Sequence, residues 1–140
     1  MDLSIVIPFY NEQESIPELI DWIEKVMKEN QYSYEIVLID DGSSDNSWKI
    51  VEEISKNNTH IKAIKFRRNY GKSAALQSGF QVVEGDIVIT MDADLQDSPD
   101  EIPSFYKMMM EGKYDLISGW KKVRHDPISK KLPSKVYNTV

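Results

Sequence analysis

Three continuous runs of branched apolar residues constrain this chain most: Ser4-Ile5-Val6-Ile7, Ile36-Val37-Leu38-Ile39 and Ile87-Val88-Ile89. Each is unbroken rather than alternating, which is the pattern of strands buried on both faces of a parallel sheet. With their flanks they predict strands over Leu3–Phe9, Tyr34–Asp40 and Asp86–Asp92. Two further apolar runs, Ile61–Phe66 and Tyr114–Trp120, add two more.

Helical patterns separate the strands. Ile16, Leu19, Ile20, Ile23, Val26 and Met27 recur at the spacing of one helix face. Trp48, Val51 and Ile54 mark a second helix after Ser44, and a third runs from about Lys72 to Val83. In the third, Ala75, Ser78 and Gly79 are small enough for close packing on a sheet. Ser98-Pro99-Asp100-Glu101 carries the Ser cap, first-turn Pro and third-position Glu of a helix start, and Gly112 stops that helix. Strand alternating with helix predicts an α/β fold with a mostly parallel sheet flanked by helices. The chain has 140 residues, 41% hydrophobic and 29% charged, enough to bury a core and ordinary for a globular domain.

In such a sheet, ligands bind beyond the carboxyl ends of the strands, where strand order reverses. The first strand here runs into Pro8-Phe9-Tyr10-Asn11-Glu12, the second into Asp40-Asp41-Gly42-Ser43 and the fourth into Asp92-Ala93-Asp94-Leu95-Gln96-Asp97. If the first and fourth strands are neighbours, Glu12, Asp40, Asp41, Asp92 and Asp94 converge on one crevice. Acids so gathered call for a cation. Asp92 and Asp94 are two apart, so a strand end would aim both one way and Ala93 the other. Two hard oxygen ligands with open positions suit Mg²⁺ or Mn²⁺ shared with a diphosphate. Asp and Ser after strands also form turns with no ligand at all, which accounts well for Asp97 and Ser98. The first turn has no glycine, so it is not a dinucleotide fingerprint, and phosphates would need neutralising in another way.

Ser4-Ile5-Val6-Ile7-Pro8-Phe9-Tyr10-Asn11-Glu12, Ile39-Asp40-Asp41-Gly42-Ser43-Ser44-Asp45 and Met91-Asp92-Ala93-Asp94-Leu95-Gln96 together resemble glycosyltransferase family 2. The likeness is to the branch of dolichyl-phosphate mannose synthase and bacterial polyprenyl-phosphate glycosyltransferases, and it runs from Met1 to about Arg124. It implies a GT-A fold and inverting transfer of a sugar from a UDP- or GDP-sugar to a polyprenyl phosphate. It further implies that Pro8, Tyr10, Glu12, Ile39 and Asp41 line the nucleoside site and that Asp92, Ala93 and Asp94 hold the donor. Asp92 and Asp94 are then the catalytic pair, with Asp94 and Gln96 as ligands of Mg²⁺ or Mn²⁺. Arg68-Asn69-Tyr70-Gly71-Lys72 matches a family stretch whose residues carry no individual assignment. Lys121 falls in a donor-binding position where the mannose synthase pattern has arginine; an ammonium balances a phosphate without gripping it bidentately. On this resemblance residues 1–125 form the nucleotide-sugar-binding domain, and residues 126–140 begin an acceptor-side, membrane-interface region that the chain leaves incomplete. A phosphate acceptor is already anionic, so it needs no strong base, whereas a sugar hydroxyl does.

The net charge of −6 is unevenly spread. Lys121, Lys122, Arg124, Lys130, Lys131 and Lys135 face only Asp126 at the end of the chain, behind an acidic body. That argues against nucleic acid as a partner. The basic segment is either a solvated linker or a strip lying on anionic lipid. Ile128, Leu132, Val136 and Tyr137 fall near helical spacing, as an interface helix would. There is no cysteine, no signal-like leader and no apolar run of membrane-spanning length. With the resemblance, this makes the cytoplasmic face of a membrane the expected location.

Other functions fit less of the chain. A soluble family member acting on a saccharide hydroxyl shares the motifs. A binding module without catalysis would use the same donor site. Gly71-Lys72-Ser73 looks like the end of a P-loop, but Phe66 stands where that motif needs glycine. A phosphoacceptor signalling domain would need its acid pair on the first strand, which ends here in Pro8.

Overall fold

The computed structural model describes residues 1–112, 116–118 and 135–138. The elements run β1 (Leu3–Phe9), α1 (Ser15–Glu29), β2 (Tyr34–Asp40), α2 (Ser47–Lys56), β3 (Ile61–Lys65), α3 (Lys72–Phe80) and β4 (Ile87–Thr90), then a 3₁₀ turn (Pro99–Glu101), α4 (Ile102–Met110), β5 (Leu116–Ser118) and β6 (Lys135–Asn138). They form one sheet in the order β3-β2-β1-β4-β6-β5. The first four strands of that order are parallel, with Leu3 opposite both Tyr34 and Ile87. The expected adjacency of the first and fourth strands is therefore present.

The unbroken apolar runs are explained by what covers them. Ile5, Ile7, Ile36, Leu38, Ile87 and Ile89 face one side of the sheet and pack with the buried stripe of α1, with Val51 of α2 and with Ile102 and Met109 of α4. Val6, Val37, Ile39 and Val88 face the other side and pack with Ala75 of α3. Every residue of β1 and β2 is buried. On α3, a Cβ added to Gly79 would lie 2.6 Å from Val6 Cγ1 and 2.8 Å from Ile39 Cδ1. Small residues there let the helix backbone sit directly on the sheet.

The structure departs from expectation at two strand ends and beyond β4. β3 ends at Lys65 and β4 at Thr90, so Asp92 and Asp94 lie on a turn rather than on the strand. Ser98 caps as expected, its hydroxyl accepting from Asp100 N, but the first turn is 3₁₀ and α4 begins at Ile102. Val136 and Tyr137, read above at helical spacing with Ile128 and Leu132, lie in strand β6, antiparallel to β4 and β5, while Ile128 and Leu132 lie outside the described residues. The physical reason is the edge of β4: its unpaired backbone groups take a partner strand, and Val136-Tyr137 suits one.

Candidate functional site

Three loops at the carboxyl ends of β1, β2 and β4 are tied to one another by short polar side chains. Asn11 takes a left-handed φ of +53°, tolerable for Asn because its side chain bonds locally. Its Oδ1 accepts from Ser44 N (2.8 Å) and Asp45 N (3.2 Å), while its own N–H donates to Ser43 Oγ. Glu12 N donates to Ser47 Oγ at 2.9 Å. Asp40 is fully buried, and its Oδ1 accepts from Ser43 N at 2.7 Å, closing the turn after β2. That turn-forming role takes it out of the expected group of five acids.

Asp41 performs a different task. Its N–H donates to Phe9 O, joining the ends of β2 and β1. Its carboxylate accepts from Tyr70 N at 2.8 Å and from Gly71 N at 3.2 Å. The Arg68–Lys72 stretch is thereby pinned over the end of β2. Gly42, at φ +81°, lies beneath it, and a Cβ there would sit 2.4 Å from the Arg68 carbonyl carbon. Only glycine fits both the backbone angle and the crossing.

After β4 the chain turns sharply, with Leu95 at φ +68°. Buried Asp97 accepts from Asp92 N at 3.0 Å, and Asp94 Oδ1 accepts from Gln96 N at 3.1 Å. Ser15, at the start of α1, has its hydroxyl 2.6 Å from Ala93 O and 2.9 Å from Glu12 Oε2. One side chain so links the two acidic loops. Lys72 Nζ lies 2.6 Å from Asp92 Oδ1.

These loops enclose an open cleft of about 230 Å³. Pro8, Tyr10 and Glu12 line it from β1, Asp41 from β2, and Asp92, Ala93 and Asp94 from the turn after β4. Seven of the expected site residues are thus together. Tyr10 lines the cleft and is 46% exposed. Ile39 is elsewhere: its side chain is wholly buried on the α3 face of the sheet. Gln96 is exposed on the same turn but outside the lining. Lys121 lies outside the described residues. Phe9 and Lys72 line the cleft without having been expected there. Lys72 was visible in the Arg68–Lys72 family stretch and in a P-loop-like triplet, without a role of its own; its reach to Asp92 depends on how α3 is placed.

The electrostatics follow from this lining. Glu12, Asp41, Asp92 and Asp94 face the cleft against Lys72, the one cationic lining residue among those described. All the available donors are hard oxygens, which fit Mg²⁺ or Mn²⁺. Among the described residues no three His, Cys, Asp or Glu side chains stand close enough to cage an ion. An ion seated here would keep open positions, as Mg²⁺ sites built from one or two carboxylates and substrate phosphates do.

Residues 4–137 match Glycosyl transferase family 2. The chain belongs to this family. Among the relatives of this family 2 chain is the undecaprenyl-phosphate 4-deoxy-4-formamido-L-arabinose transferase of Proteus mirabilis (strain HI4320), 44% identical over 139 residues, which are 99% of this chain and 42% of that protein. The protein of the same name from Pseudomonas fluorescens (strain SBW25) is 43% identical over 137 residues, 97% of this chain and 40% of that protein. The family 2 chain thus spans less than half the length of these relatives. Among solved structures, mannosyl-3-phosphoglycerate synthase from Rubrobacter xylanophilus superposes with a TM-score of 0.81 at 14% identity, over 99% of this chain and 53% of that one. The mannosyltransferase PcManGT from Pyrobaculum calidifontis, in complex with GDP-Man and Mn²⁺, gives 0.76 at 22% identity, over 97% and 44%. At such identities the likeness is one of fold, and that fold is GT-A.

Proposed function

We propose that this chain supplies the donor-binding part of an inverting glycosyltransferase that moves a sugar from a UDP- or GDP-sugar to a polyprenyl phosphate. The observation that carries the proposal is the Asp92-Ala93-Asp94 turn facing Glu12 and Asp41 across one cleft at the β1–β4 junction. The acceptor class is supported by the relatives, whose name specifies undecaprenyl phosphate.

In this proposal Pro8, Tyr10, Glu12 and Asp41 form the nucleoside end of the cleft. The Tyr10 ring offers a stacking face. Asp41 keeps the Arg68–Lys72 loop in place through its two backbone hydrogen bonds. Ile39 acts from beneath, its buried side chain fixing the end of β2. Asp92 and Ala93 orient the donor, Asp94 and Gln96 hold Mg²⁺ or Mn²⁺, and Lys121 balances charge on the diphosphate. The divalent ion, when bound, neutralises the departing diphosphate. The residues themselves position two anions in line, and the acceptor phosphate attacks without first losing a proton to a strong base. The basic residues from Lys121 to Lys131 would face anionic lipid at the cytoplasmic surface of a membrane. No helix among the described residues is long and apolar enough to cross one.

The acceptor is tested by presenting radiolabelled UDP- and GDP-sugars, with Mn²⁺, to cell membranes from a strain expressing the protein, with undecaprenyl phosphate or an oligosaccharide added. Label passing into the organic phase only when the lipid phosphate is added supports the proposal. Transfer to the oligosaccharide alone replaces it with the saccharide-hydroxyl alternative.

A further inference from the structure

Lys72 is the first residue of α3, and its backbone is anchored beside the cleft because the preceding N–H of Gly71 is held by the Asp41 carboxylate. Its side chain crosses from there to the turn after β4, where the ammonium meets Asp92 Oδ1 at 2.6 Å. The two partners differ in setting: the Lys72 side chain is 60% exposed and that of Asp92 only 19%. An ammonium so exposed is weakly held and can move at little cost. The carboxylate, by contrast, shares the cleft lining with three further acids, Glu12, Asp41 and Asp94, and Lys72 is the one cationic residue of that lining among those described.

A divalent ion at the same turn would place a second positive charge against Asp92, and the lysine and the ion would repel each other across one carboxylate. The ammonium would then be left at the mouth of the cleft, a four-carbon stem's reach from where a diphosphate would lie. We propose that Lys72 is a built-in counter-ion: it neutralises Asp92 in the empty cleft and passes to the diphosphate when a divalent ion takes its place. This rests on the donor site proposed above and adds a coupling to it. The lysine opposes the ion alone, favours the ion and the nucleotide together, and so makes each raise the affinity for the other.

The test measures Mn²⁺ binding by electron paramagnetic resonance and UDP and GDP binding by calorimetry, on the wild-type chain, Lys72→Met and Lys72→Arg. In the wild type, Mn²⁺ and the nucleotide strengthen each other by about tenfold, within the ordinary range for linked sites. Lys72→Met binds Mn²⁺ alone more tightly, binds nucleotide more weakly and loses most of that mutual strengthening. Lys72→Arg, which keeps the charge, behaves like the wild type toward Mn²⁺ alone. Unchanged Mn²⁺ affinity and coupling in Lys72→Met overturn the counter-ion role while leaving the donor site standing, as does a Lys72→Arg variant indistinguishable from Lys72→Met. A wild-type chain that binds neither nucleotide with Mn²⁺ overturns the donor site and this role together.

Discussion

Gly42 and Gly112 have similar positive φ angles, +81° and +71°, but different surroundings. Around Gly112 a Cβ would meet nothing within 4 Å, whereas at Gly42 it would strike the backbone of Arg68 and Asn69. Gly112→Ala should therefore cost only the left-handed strain, about 1–2 kcal/mol. Gly42→Ala adds a clash with backbone that cannot rotate away, and should cost clearly more. Urea unfolding of the two variants checks this, and equal losses would mean that the loop over Gly42 yields freely. The same crossing explains what the sequence showed of the site and what it hid. Asp92 and Asp94 were legible as cleft residues because they follow the fourth apolar run two positions apart, within a motif that matches the family. Asp41 was legible as a site residue, but its hold on Tyr70 and Gly71 was not, since those residues lie about thirty positions on. Ser15 and Lys72 were hidden for the same reason: each acts on a loop distant in sequence.

At the opposite end of the strands, a buried carboxylate with a half-exposed lysine partner fastens β1, β2 and β3 together. Glu35 of β2 is 2% exposed. It accepts from Ser4 Oγ of β1 and from Glu84 N, and pairs with Lys62 of β3 at 2.7 Å. Burial pushes the Glu35 carboxyl up, but the bonds from Lys62, Ser4 and Glu84 N outweigh it and hold the group below the usual carboxylate value. A carboxyl depressed in the folded state contributes stability that is present above its ordinary value and is lost as pH falls through the folded one. Glu35→Gln should thus be less stable than wild type at neutral pH, by about 1–3 kcal/mol, with the gap narrowing in acid. Denaturant unfolding across the acid range decides the matter, and a gap independent of pH would mean that Glu35 contributes through packing alone. Element boundaries were legible to the same degree as their causes were local. β1 and β2 have the expected limits because their apolar runs end in Pro8-Phe9 and Asp40-Asp41. β6 was missed because its residues become a strand only by pairing with the open edge of β4.

Over the whole molecule, one arrangement organises both fold and site. The order β3-β2-β1-β4 puts the reversal of strand order at the β1–β4 junction, and the acidic loops from both strands meet there. Of that order, only the adjacency of the first and fourth strands was legible, and as a condition; a parallel sheet of unbroken branched runs separated by helices was legible in full. Asp97 was legible as a turn former, but not its hold on the Asp92 N–H, which goes with a strand that stops at Thr90 and leaves Asp92 and Asp94 on the turn. The central claim is that this turn, with Glu12 and Asp41, makes a divalent-ion and nucleotide-diphosphate site. It is tested most directly by calorimetric titration of the chain with UDP and with GDP, each with and without Mn²⁺, in wild type and Asp94→Ala. The account predicts that one nucleotide binds the wild type about tenfold more tightly with Mn²⁺ than without, and that Asp94→Ala, at an exposed position, keeps its melting temperature but loses that strengthening, about 1.4 kcal/mol. Metal-dependent binding that survives unchanged in Asp94→Ala would contradict it.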